Sequence, residues 1–493
     1  MANLATTPAP LHRPYLSAIP QAPPAAAYAM SQAQLGNFLM YHFLKKPGPF
    51  NSWIAEQLPF LEADAAWNAA YALLERHEIL RTTLEWGPDG QPCQRIHPAS
   101  HFQQAIQIEK SDLPYEACLE NLVKEARAHF FNFEKGPLFY VKIVELPAGA
   151  IFLMNLHHVL TDAWSNNLIR KELMLLYQAQ LQGKPSPLPP LPIQFKDYAH
   201  WHRQMLTEDV REAFRHYWHR YMPQPFPQND LSLVFAKNPD PSSSYRESLR
   251  RQIRAELKPM APEQEDLFFG VIGKIEMHES AAYRFVIPKA LHQSMLQMAA
   301  HAETSLFSVL QFGLAALIYR LSGCPDAVFG VNMAMRNNAD LQNTIGFMVN
   351  TVLMRQHIDP LQSAAFNIRR IAADTLEAFE FSFYPFERIL LDFDFPFQAL
   401  SKIFLNMPNR NRGEMNTLRD FSASHLPDEL RIGYFDLDFH LQEEKNGIVC
   451  HCEYKKHLFQ PTDIETIHTA FISVLEALCG HPEAPIENLL KNN

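Results

Sequence analysis

A mainly apolar run of seven residues ends in two histidines about a third of the way along the chain. Residues 150–156 read Ala-Ile-Phe-Leu-Met-Asn-Leu, and His157 and His158 follow them directly. A strand of this composition is typically buried on both faces, so the rest of the fold must cover it on either side. Beyond the histidines, apolar residues recur at helical spacing from Leu168 to Leu181. The histidines are therefore predicted to lie where a buried strand leads into a helix.

Strand and helix patterns alternate through the rest of the chain. Residues 65–77 have the period of a helix, 78–84 the composition of a strand, and 133–144 a turn that leads into a strand. In the second half, the pattern predicts a strand at 283–287, a helix from Lys289, a helix from Ser305 to Leu321, and paired strands at 434–441 and 448–454 around an Asn446-Gly447 turn. This alternation predicts an α/β protein, or an α+β protein if the sheets are mixed.

A chain of 493 residues is too long for one compact core, so the sequence predicts two lobes. The first 28 residues carry six prolines among alanine and threonine, and they predict a flexible tail without the pattern of a signal peptide. Residues 29–221 are expected to form the first lobe and residues 281–493 the second. Between them, residues 222–280 are polar and weakly periodic, which indicates a linker or an inserted loop.

The composition argues against several classes of partner. A formal net charge of −10 without a basic run disfavours nucleic acid. No apolar stretch reaches the ~20 residues of a membrane-spanning helix, so a soluble protein is expected. Six scattered cysteines indicate a reducing, cytoplasmic compartment. Cys450 and Cys452 flank His451, but on a strand they share one face and no second ligand pair follows, so no metal site is expected.

Imidazole accepts and returns protons near neutral pH, which makes His157 and His158 candidates for a catalytic base. Successive residues of a strand point to opposite sides, so only one of the two can face a given cavity. A structural interpretation is also open, because a buried histidine is usually a bonded core residue and Asp162 before a helix is usually an N-cap. No serine elbow, phosphate loop or dinucleotide glycine motif occurs, so a histidine base predicts direct transfer between two bound substrates.

Residues 157–165, His-His-Val-Leu-Thr-Asp-Ala-Trp-Ser, closely resemble the His-His-x-x-x-Asp-Gly signature of the condensation domains of nonribosomal peptide synthetases. Seven further segments are similar to other motifs of that family and follow the family's order: 31–34, 75–84, 191–199, 319–323, 345–351, 384–388 and 454–459. The resemblance therefore extends from about residue 30 to about residue 480, which makes it far more specific than a single motif.

The resemblance implies two lobes like those of chloramphenicol acetyltransferase, set in a V around a central tunnel. In this family the donor and the acceptor enter from opposite faces, usually as thioesters on the phosphopantetheine arm of an acyl or peptidyl carrier protein. No cofactor is therefore expected to bind to the chain itself. His158 would face the tunnel and assist attack of the acceptor on the donor thioester, while His157 would be structural.

The resemblance also assigns an ion pair to the motif. Asp162 would orient the site through an arginine of the second lobe, for which Arg336 is the matching position and Arg81 the alternative. Trp164 and Ser165 would complete the segment in structural or orienting roles.

One residue departs from the signature. Ala163 stands where the family has glycine, which matters only if the position needs a positive φ or a close backbone approach to substrate. Because alanine is the smallest side chain that could replace it, we expect a modest effect.

The expected activity is transfer of an acyl, peptidyl or polyketidyl group from a carrier protein to an amine, which forms an amide in natural-product biosynthesis. No adenylation, carrier-protein or thioesterase motif is recognised, so a free-standing enzyme that meets its partners in trans is expected. Two alternatives stay open: ester-forming chain release onto a hydroxyl acceptor, and an inactive scaffold that binds carrier proteins. The sequence does not identify the donor, the acceptor, whether the acceptor is a free small molecule or carrier-bound, the docking element or the oligomeric state.

Overall fold

A computed structural model describes residues 18–44, 50–58, 60–222, 230–235, 278–392, 402–407, 432–433 and 435–490. Its strands are β1 (Tyr28–Ala29), β2 (Asn51–Leu58), β3 (Thr82–Trp86), β4 (Pro92–Ile96), β5 (Ile106–Lys110), β6 (Phe139–Leu146), β7 (Gly149–His157), β8 (His278–Pro288), β9 (Asp326–Met333), β10 (Asn350–His357), β11 (Ile403–Asn406), β12 (Ile432–Gly433), β13 (Leu437–Glu444) and β14 (Gly447–Lys455). Its α-helices are α1 (Gln32–Leu44), α2 (Ala63–Arg76), α3 (Tyr115–Ala128), α4 (Ala163–Leu181), α5 (Phe195–Met205), α6 (Glu208–Tyr221), α7 (Leu231–Val234), α8 (Lys289–His301), α9 (Leu306–Ser322), α10 (Ala364–Glu380), α11 (Phe386–Asp392), α12 (Pro461–Gly480) and α13 (Ile486–Leu490).

The strand that leads to the histidines lies inside a four-stranded sheet. The order is β2-β7-β6-β5, and β7 is antiparallel to both of its neighbours. On one face of β7, Ile151 and Leu153 pack against apolar residues of α3. On the other face, Phe152 and Met154 belong to the main core, to which α2 and α4 contribute. The prediction of a strand buried on both faces is therefore confirmed.

The second half of the chain forms a seven-stranded sheet in the order β10-β9-β11-β13-β14-β8-β12. Strand β11 is parallel to β9 and β13, whereas the other pairs are antiparallel. Helix α9 is buried along residues 308–318 and packs against α10 and α12. The predicted hairpin of β13 and β14 is present, with Lys445 and Asn446 in its turn.

Parallel and antiparallel pairs occur together in both large sheets. In the first half, β5 is parallel to β6 while the other two pairs of that sheet are antiparallel. A third, antiparallel sheet has the order β1-β4-β3. Because the sheets are mixed, the α+β form of the predicted fold class is the right one.

Several predicted boundaries differ from the structure, and the strand predicted at 283–287 extends over His278–Pro288. Residues 78–81 form a 3-10 turn rather than the start of a strand, since the Thr82 hydroxyl donates to the Glu78 carbonyl oxygen (2.7 Å) and closes the turn. Strand β3 begins only at Thr82. The strand predicted from residue 434 begins at Leu437, where pairing with Tyr454 starts, and residue 434 lies outside the described residues.

The prediction of a flexible tail at residues 1–28 does not hold for its described part. Ile19 and Ala22 are buried. The Ile19 amide donates to Asp340 Oδ2 (3.0 Å), and the Ala22 amide donates to Asp197 Oδ1 (2.8 Å). Prolines favour an extended backbone here, and these two N–H groups bind carboxylates of the folded chain. Residues 1–17 lie outside the described residues.

The predicted linker at 222–280 also lies largely outside the described residues. Within it the structure describes the short helix α7 and the first residues of β8, which begins at His278. None of the three sheets combines a strand from before residue 222 with a strand from after it.

In the described ranges, no single helix has both the length and the apolar composition needed to cross a membrane. Helices α8 and α9 reach that length and apolar composition only when they are taken together, and the pair is bent by 106°.

Candidate active site

The histidine motif occupies the turn between β7 and α4. His157 is the last residue of β7, His158–Leu160 form a 3-10 turn, and α4 begins at Ala163. Asp162 is the N-cap of α4, because its Oδ1 accepts from the Ser165 amide at 2.8 Å. The predicted passage from a buried strand into a helix is therefore present, and the motif is its connection.

His157 is completely enclosed. Its side chain has no solvent exposure, and its Nδ1 accepts a hydrogen bond from the Val159 amide at 3.0 Å. The rings of Tyr41 and Phe133 meet it edge-on at 4.3 and 4.8 Å, and Phe50 stacks at 5.8 Å. Burial, and secondarily the neighbouring charge of His158, hold the pKa of His157 well below its usual value. His157 is therefore a neutral core residue.

His158 is in the opposite situation. It is partly exposed, and its ring meets the ring of Phe347 edge-on at 5.0 Å. Its Nδ1 is shielded from solvent and has no hydrogen-bond partner among the described residues. Of the two imidazoles, only that of His158 is open to a bound molecule.

Asp162 and Arg336 form a buried ion pair between the two halves of the chain. Arg336 Nη1 donates to Asp162 Oδ2 at 2.9 Å, and Nη2 donates to Oδ1 at 3.2 Å. The Met348 amide also donates to Asp162 Oδ2 (3.1 Å). Met335, directly before the arginine, has a φ of 53°, a left-handed conformation that is rare for such a side chain. Asp162 is thus both the helix N-cap and the partner of an arginine 174 residues away.

Ser165 and Trp164 extend this contact. The Ser165 hydroxyl is buried, donates to the Gly346 carbonyl oxygen (2.9 Å), and accepts from Arg336 Nη2 (2.9 Å) and from the Gly346 amide (3.1 Å). The Trp164 indole donates to the Gln342 carbonyl oxygen at 3.0 Å. We call Asp162, Ser165, Arg336 and Gly346 the clasp, since they join the start of α4 to the segment before β10.

Arg81 lies elsewhere and is not the partner of Asp162. Its Nη1 donates to the His97 carbonyl oxygen (2.6 Å), and its Nη2 lies 3.8 Å from Glu78 Oε1. The assignment of Arg81 as the alternative partner is therefore wrong, because local contacts already engage its guanidinium.

Ala163 is the exposed first residue of α4. The described non-glycine residues with positive φ are Glu303 and Met335, so Ala163 has an ordinary helical backbone. Neither the backbone conformation nor the space within the protein requires glycine at this position.

Two aromatic residues were missed by reasoning from the sequence. Phe347 belongs to a segment that resembles the family, but nothing in the local pattern indicates that its ring contacts His158. Phe195 packs so closely on Gly346 that a Cβ at the glycine would overlap its ring. Contacts of this kind join residues far apart in sequence, so no local periodicity reveals them.

In the described part of the chain, no three His, Cys, Asp or Glu side chains lie close enough together to bind one metal ion. Cys450 and Cys452 are both buried on β14, on one face as predicted.

The fold and the site define a class of protein. It is a mixed α+β protein whose two halves meet at a His-His-x-x-x-Asp turn. The family profile "Condensation domain" matches residues 25–265 and 276–491, which is nearly the whole chain. The chain therefore belongs to the condensation-domain family.

Curated relatives share this match at low identity. Gramicidin S synthase 2 of Aneurinibacillus migulanus is 26% identical over 477 residues, which cover 94% of this chain and 10% of that protein. Enniatin synthase of Fusarium equiseti is 28% identical over 435 residues, covering 87% of this chain and 13% of that protein. The chain thus spans only a small part of the length of these synthetases.

Solved structures show the same fold. The condensation domain of the Monacolin K polyketide synthase MokA has a TM-score of 0.70 at 15% identity, covering 94% of this chain and 99% of that one. The X-domain from teicoplanin biosynthesis has a TM-score of 0.68 at 19% identity, covering 95% and 99%. A structure concerned with condensation domain-mediated chain release from the enacyloxin polyketide synthase has a TM-score of 0.66 at 18% identity, covering 94% and 85%.

Proposed function

We propose that this chain transfers an acyl, peptidyl or polyketidyl group from a carrier-protein thioester to an acceptor amine, with His158 as the base. The contrast between the two histidines carries this proposal. His157 is enclosed, whereas His158 is accessible and its ring rests against Phe347. An imidazole that a bound substrate can reach, at the end of a rigid strand, is suited to proton transfer.

In the proposed reaction the acceptor nitrogen attacks the carbonyl carbon of the thioester. His158 takes a proton from that nitrogen as the tetrahedral intermediate forms, the C–S bond breaks, and the proton passes to the leaving sulfur. A new C–N bond and a free thiol result.

The surroundings of His158 favour an amine over a hydroxyl acceptor. The Nδ1 of His158 has no hydrogen-bond partner among the described residues, so no carboxylate there orients the ring for a demanding deprotonation. An α-amine with a pKa near ~8 is partly neutral at pH 7 and needs little help to attack. A hydroxyl is a far weaker acid and depends on general-base help of ~10²-fold or more.

The clasp supports His158 without contacting the reaction. It ties Asp162, four residues after His158, to Arg336 in the second half of the chain. The turn therefore cannot move independently of the segment that carries Phe347. Asp162 and Arg336 are positioning residues in this proposal.

The proposal includes the architecture and partners that the resemblance implies. Residues 29–221 and 281–493 would be two lobes in a V with a central tunnel, and substrates would arrive on carrier proteins in trans rather than on a bound cofactor. The separation of the sheets at the segment 222–280 and the membership of the condensation-domain family support it.

Intact-mass spectrometry tests the proposal. Acyl-loaded carrier protein is incubated with the chain and a panel of amines and alcohols, and transfer is read as loss of the acyl group from the carrier together with the mass of the new product. We expect amides from the wild type and none from His158→Ala. His301→Ala is the matched control, because His301 is exposed on α8 and should be dispensable.

Other results would redirect the assignment. Products from alcohols alone would favour ester-forming release. Turnover by His158→Ala at the wild-type rate would exclude this histidine as the base. Binding of carrier protein with no transfer to any acceptor would favour a scaffold.

A further inference from the structure

Glu387, the second residue of α11, carries one carboxylate oxygen without a hydrogen-bond partner among the described residues. The residue as a whole is partly exposed, but its Oε2 has no contact with solvent and no hydrogen bond among the described residues. Burial raises the pKa of Glu387 to about 7. A hydrogen bond from its own backbone N–H has the opposite, smaller effect on that pKa. A buried carboxylate oxygen with no donor is costly for the fold, so Oε2 calls for an explanation.

The position of Glu387 relative to His158 follows from Asn350. The Phe386 amide donates to Asn350 Oδ1 at 3.0 Å, which fixes the first turn of α11. Asn350 lies three residues after Phe347, the residue that contacts His158, so their Cα atoms are at most about 11 Å apart. Glu387 is therefore held near the candidate active site by the segment that contacts its histidine.

Contacts of helices α1 and α5 also place Glu387 close to the candidate active site. Helix α1 packs against both the turn at His158–Leu160 and α11. A Cβ at Gly36 of α1 would lie 3.3 Å from Glu387 Oε1, so the carboxylate rests directly on that helix. On α5, burial raises the pKa of Tyr198, the charge of Arg336 opposes this, and the charges of Asp162 and Glu387 add to it, so all three charged groups lie within electrostatic reach of its hydroxyl.

The unpartnered atoms nearby are hydrogen-bond acceptors. Gln32 lies one helical turn before Gly36, on the same face of α1, and its Oε1 is also buried without a partner. Gln32 and Gly36 of α1 and Asn350 of β10 carry no charge, and the cation Arg336, which acts on the same Tyr198 hydroxyl as Glu387, is already paired with Asp162. Two buried acceptor oxygens without partners, Gln32 Oε1 and Glu387 Oε2, fit a ligand that carries N–H groups.

We propose that the carboxylate of Glu387 binds the ammonium form of the acceptor amine and takes its proton before the amine attacks at His158. The inference rests on the proposed function and names the acceptor class, a basic amine. The step is R-NH₃⁺ plus carboxylate giving R-NH₂ plus carboxylic acid, and the acid then returns its proton to water. An α-amine with a pKa near ~8 is well matched to a carboxyl group whose pKa burial has raised.

A comparison of two acceptors tests the proposal. At pH 7 the α-amine of an amino acid ester, with a pKa near ~8, is about one-tenth neutral, so a variant that cannot remove its proton should lose about tenfold in kcat/KM. An alkoxyamine is already neutral at pH 7 and needs no such step. We therefore expect Glu387→Gln to lose about tenfold with the α-amine and to keep its rate with the alkoxyamine.

The controls separate this role from a structural one. Glu465→Gln, on the exposed side of α12, should leave both acceptors unaffected. Thermal melting shows whether Glu387→Gln folds. If it does not, Gly36→Ala is used instead, since its Cβ presses on the carboxylate and should produce the same selective loss to a smaller extent.

The outcomes are distinct. Equal losses with both acceptors, or no loss with either, overturn the role of Glu387 while leaving the proposed function intact, because the wild type still forms amide. If the wild type forms no amide with either amine, the proposed function fails, and this inference fails with it.

Discussion

The environments of His157 and His158 determine how each residue responds to pH. Burial holds the pKa of His157 below its usual value, so His157 stays neutral in the folded chain when the pH falls. The unfolded chain binds a proton at this residue below about pH 6.5. The stability that depends on neutral His157 is therefore fully present above that pH and is lost as the pH falls below it.

We expect His157→Phe to flatten this pH dependence. Phenylalanine suits the surrounding rings but does not titrate, whereas one protonation costs up to about 1.4 kcal/mol per pH unit. Urea unfolding at pH 7.5, 6.5 and 5.5 measures the slope, with His216→Phe at an exposed position of α6 as the control. The variant should also be about 1–3 kcal/mol less stable at pH 7.5, because the Val159 amide loses its acceptor. Parallel pH curves for wild type and variant would contradict a neutral buried His157.

Ala163 offers a test of the one departure from the family signature. The backbone of Ala163 is helical and its side chain is exposed, so this position does not need the extra conformational freedom that Ala163→Gly would supply. The variant should lose up to about 1 kcal/mol in unfolding free energy through helix propensity and form product at the wild-type rate. A clear increase in rate would show that the family's glycine makes room for substrate.

The sequence distinguishes the two histidines only in part. Strand alternation shows that one of them can face a cavity, and the family resemblance selects His158. The physical cause of the difference is the set of rings around His157, which come from Tyr41, Phe50 and Phe133. These residues are remote in sequence, so only the folded chain shows which imidazole they enclose.

At the scale of elements, the clasp joins α4 to the segment before β10 through buried polar bonds. Arg336→Met would leave Asp162 buried without its cation, and we expect a loss of about 3–5 kcal/mol in unfolding free energy. The double variant Asp162→Asn, Arg336→Met should lose less than the sum of the single losses, since it leaves no unpaired charge. Urea unfolding of the four proteins gives the coupling energy. Additive losses would mean that the pair does not act as a unit.

The elements themselves follow from local patterns better than their contacts do. Helices α8 and α9 and strand β7 begin and end close to where periodicity places them. The 3-10 turn at residues 78–81 differs because the Thr82 hydroxyl binds back to Glu78, a contact that composition does not reveal. The partner of Asp162 is 174 residues away, so family resemblance, and not spacing, identified Arg336.

For the whole molecule, composition was least informative about the first described residues. The six prolines of residues 1–28 predict a flexible tail, yet residues 18–22 bind both halves of the chain. The Ile19 amide bonds to Asp340, which lies between Arg336 and Gly346 of the clasp, and the Ala22 amide bonds to Asp197 of α5. Asp197 also accepts from the Gln194 amide as part of a capping box. This short segment therefore bridges the two halves beside the candidate active site.

We expect Ile19→Ala to destabilise the whole chain. Ile19 is 5% exposed, so the truncation removes buried methyl groups and should cost about 2 kcal/mol or more in unfolding free energy. Because the segment joins the halves, its loosening should also raise hydrogen exchange at residues 338–346, which a purely local effect would not do. Pro24→Ala is the matched control, since Pro24 is exposed in the same segment and should change neither measurement. Unchanged exchange at 338–346 together with an unchanged unfolding midpoint would show that the segment is not a structural bridge.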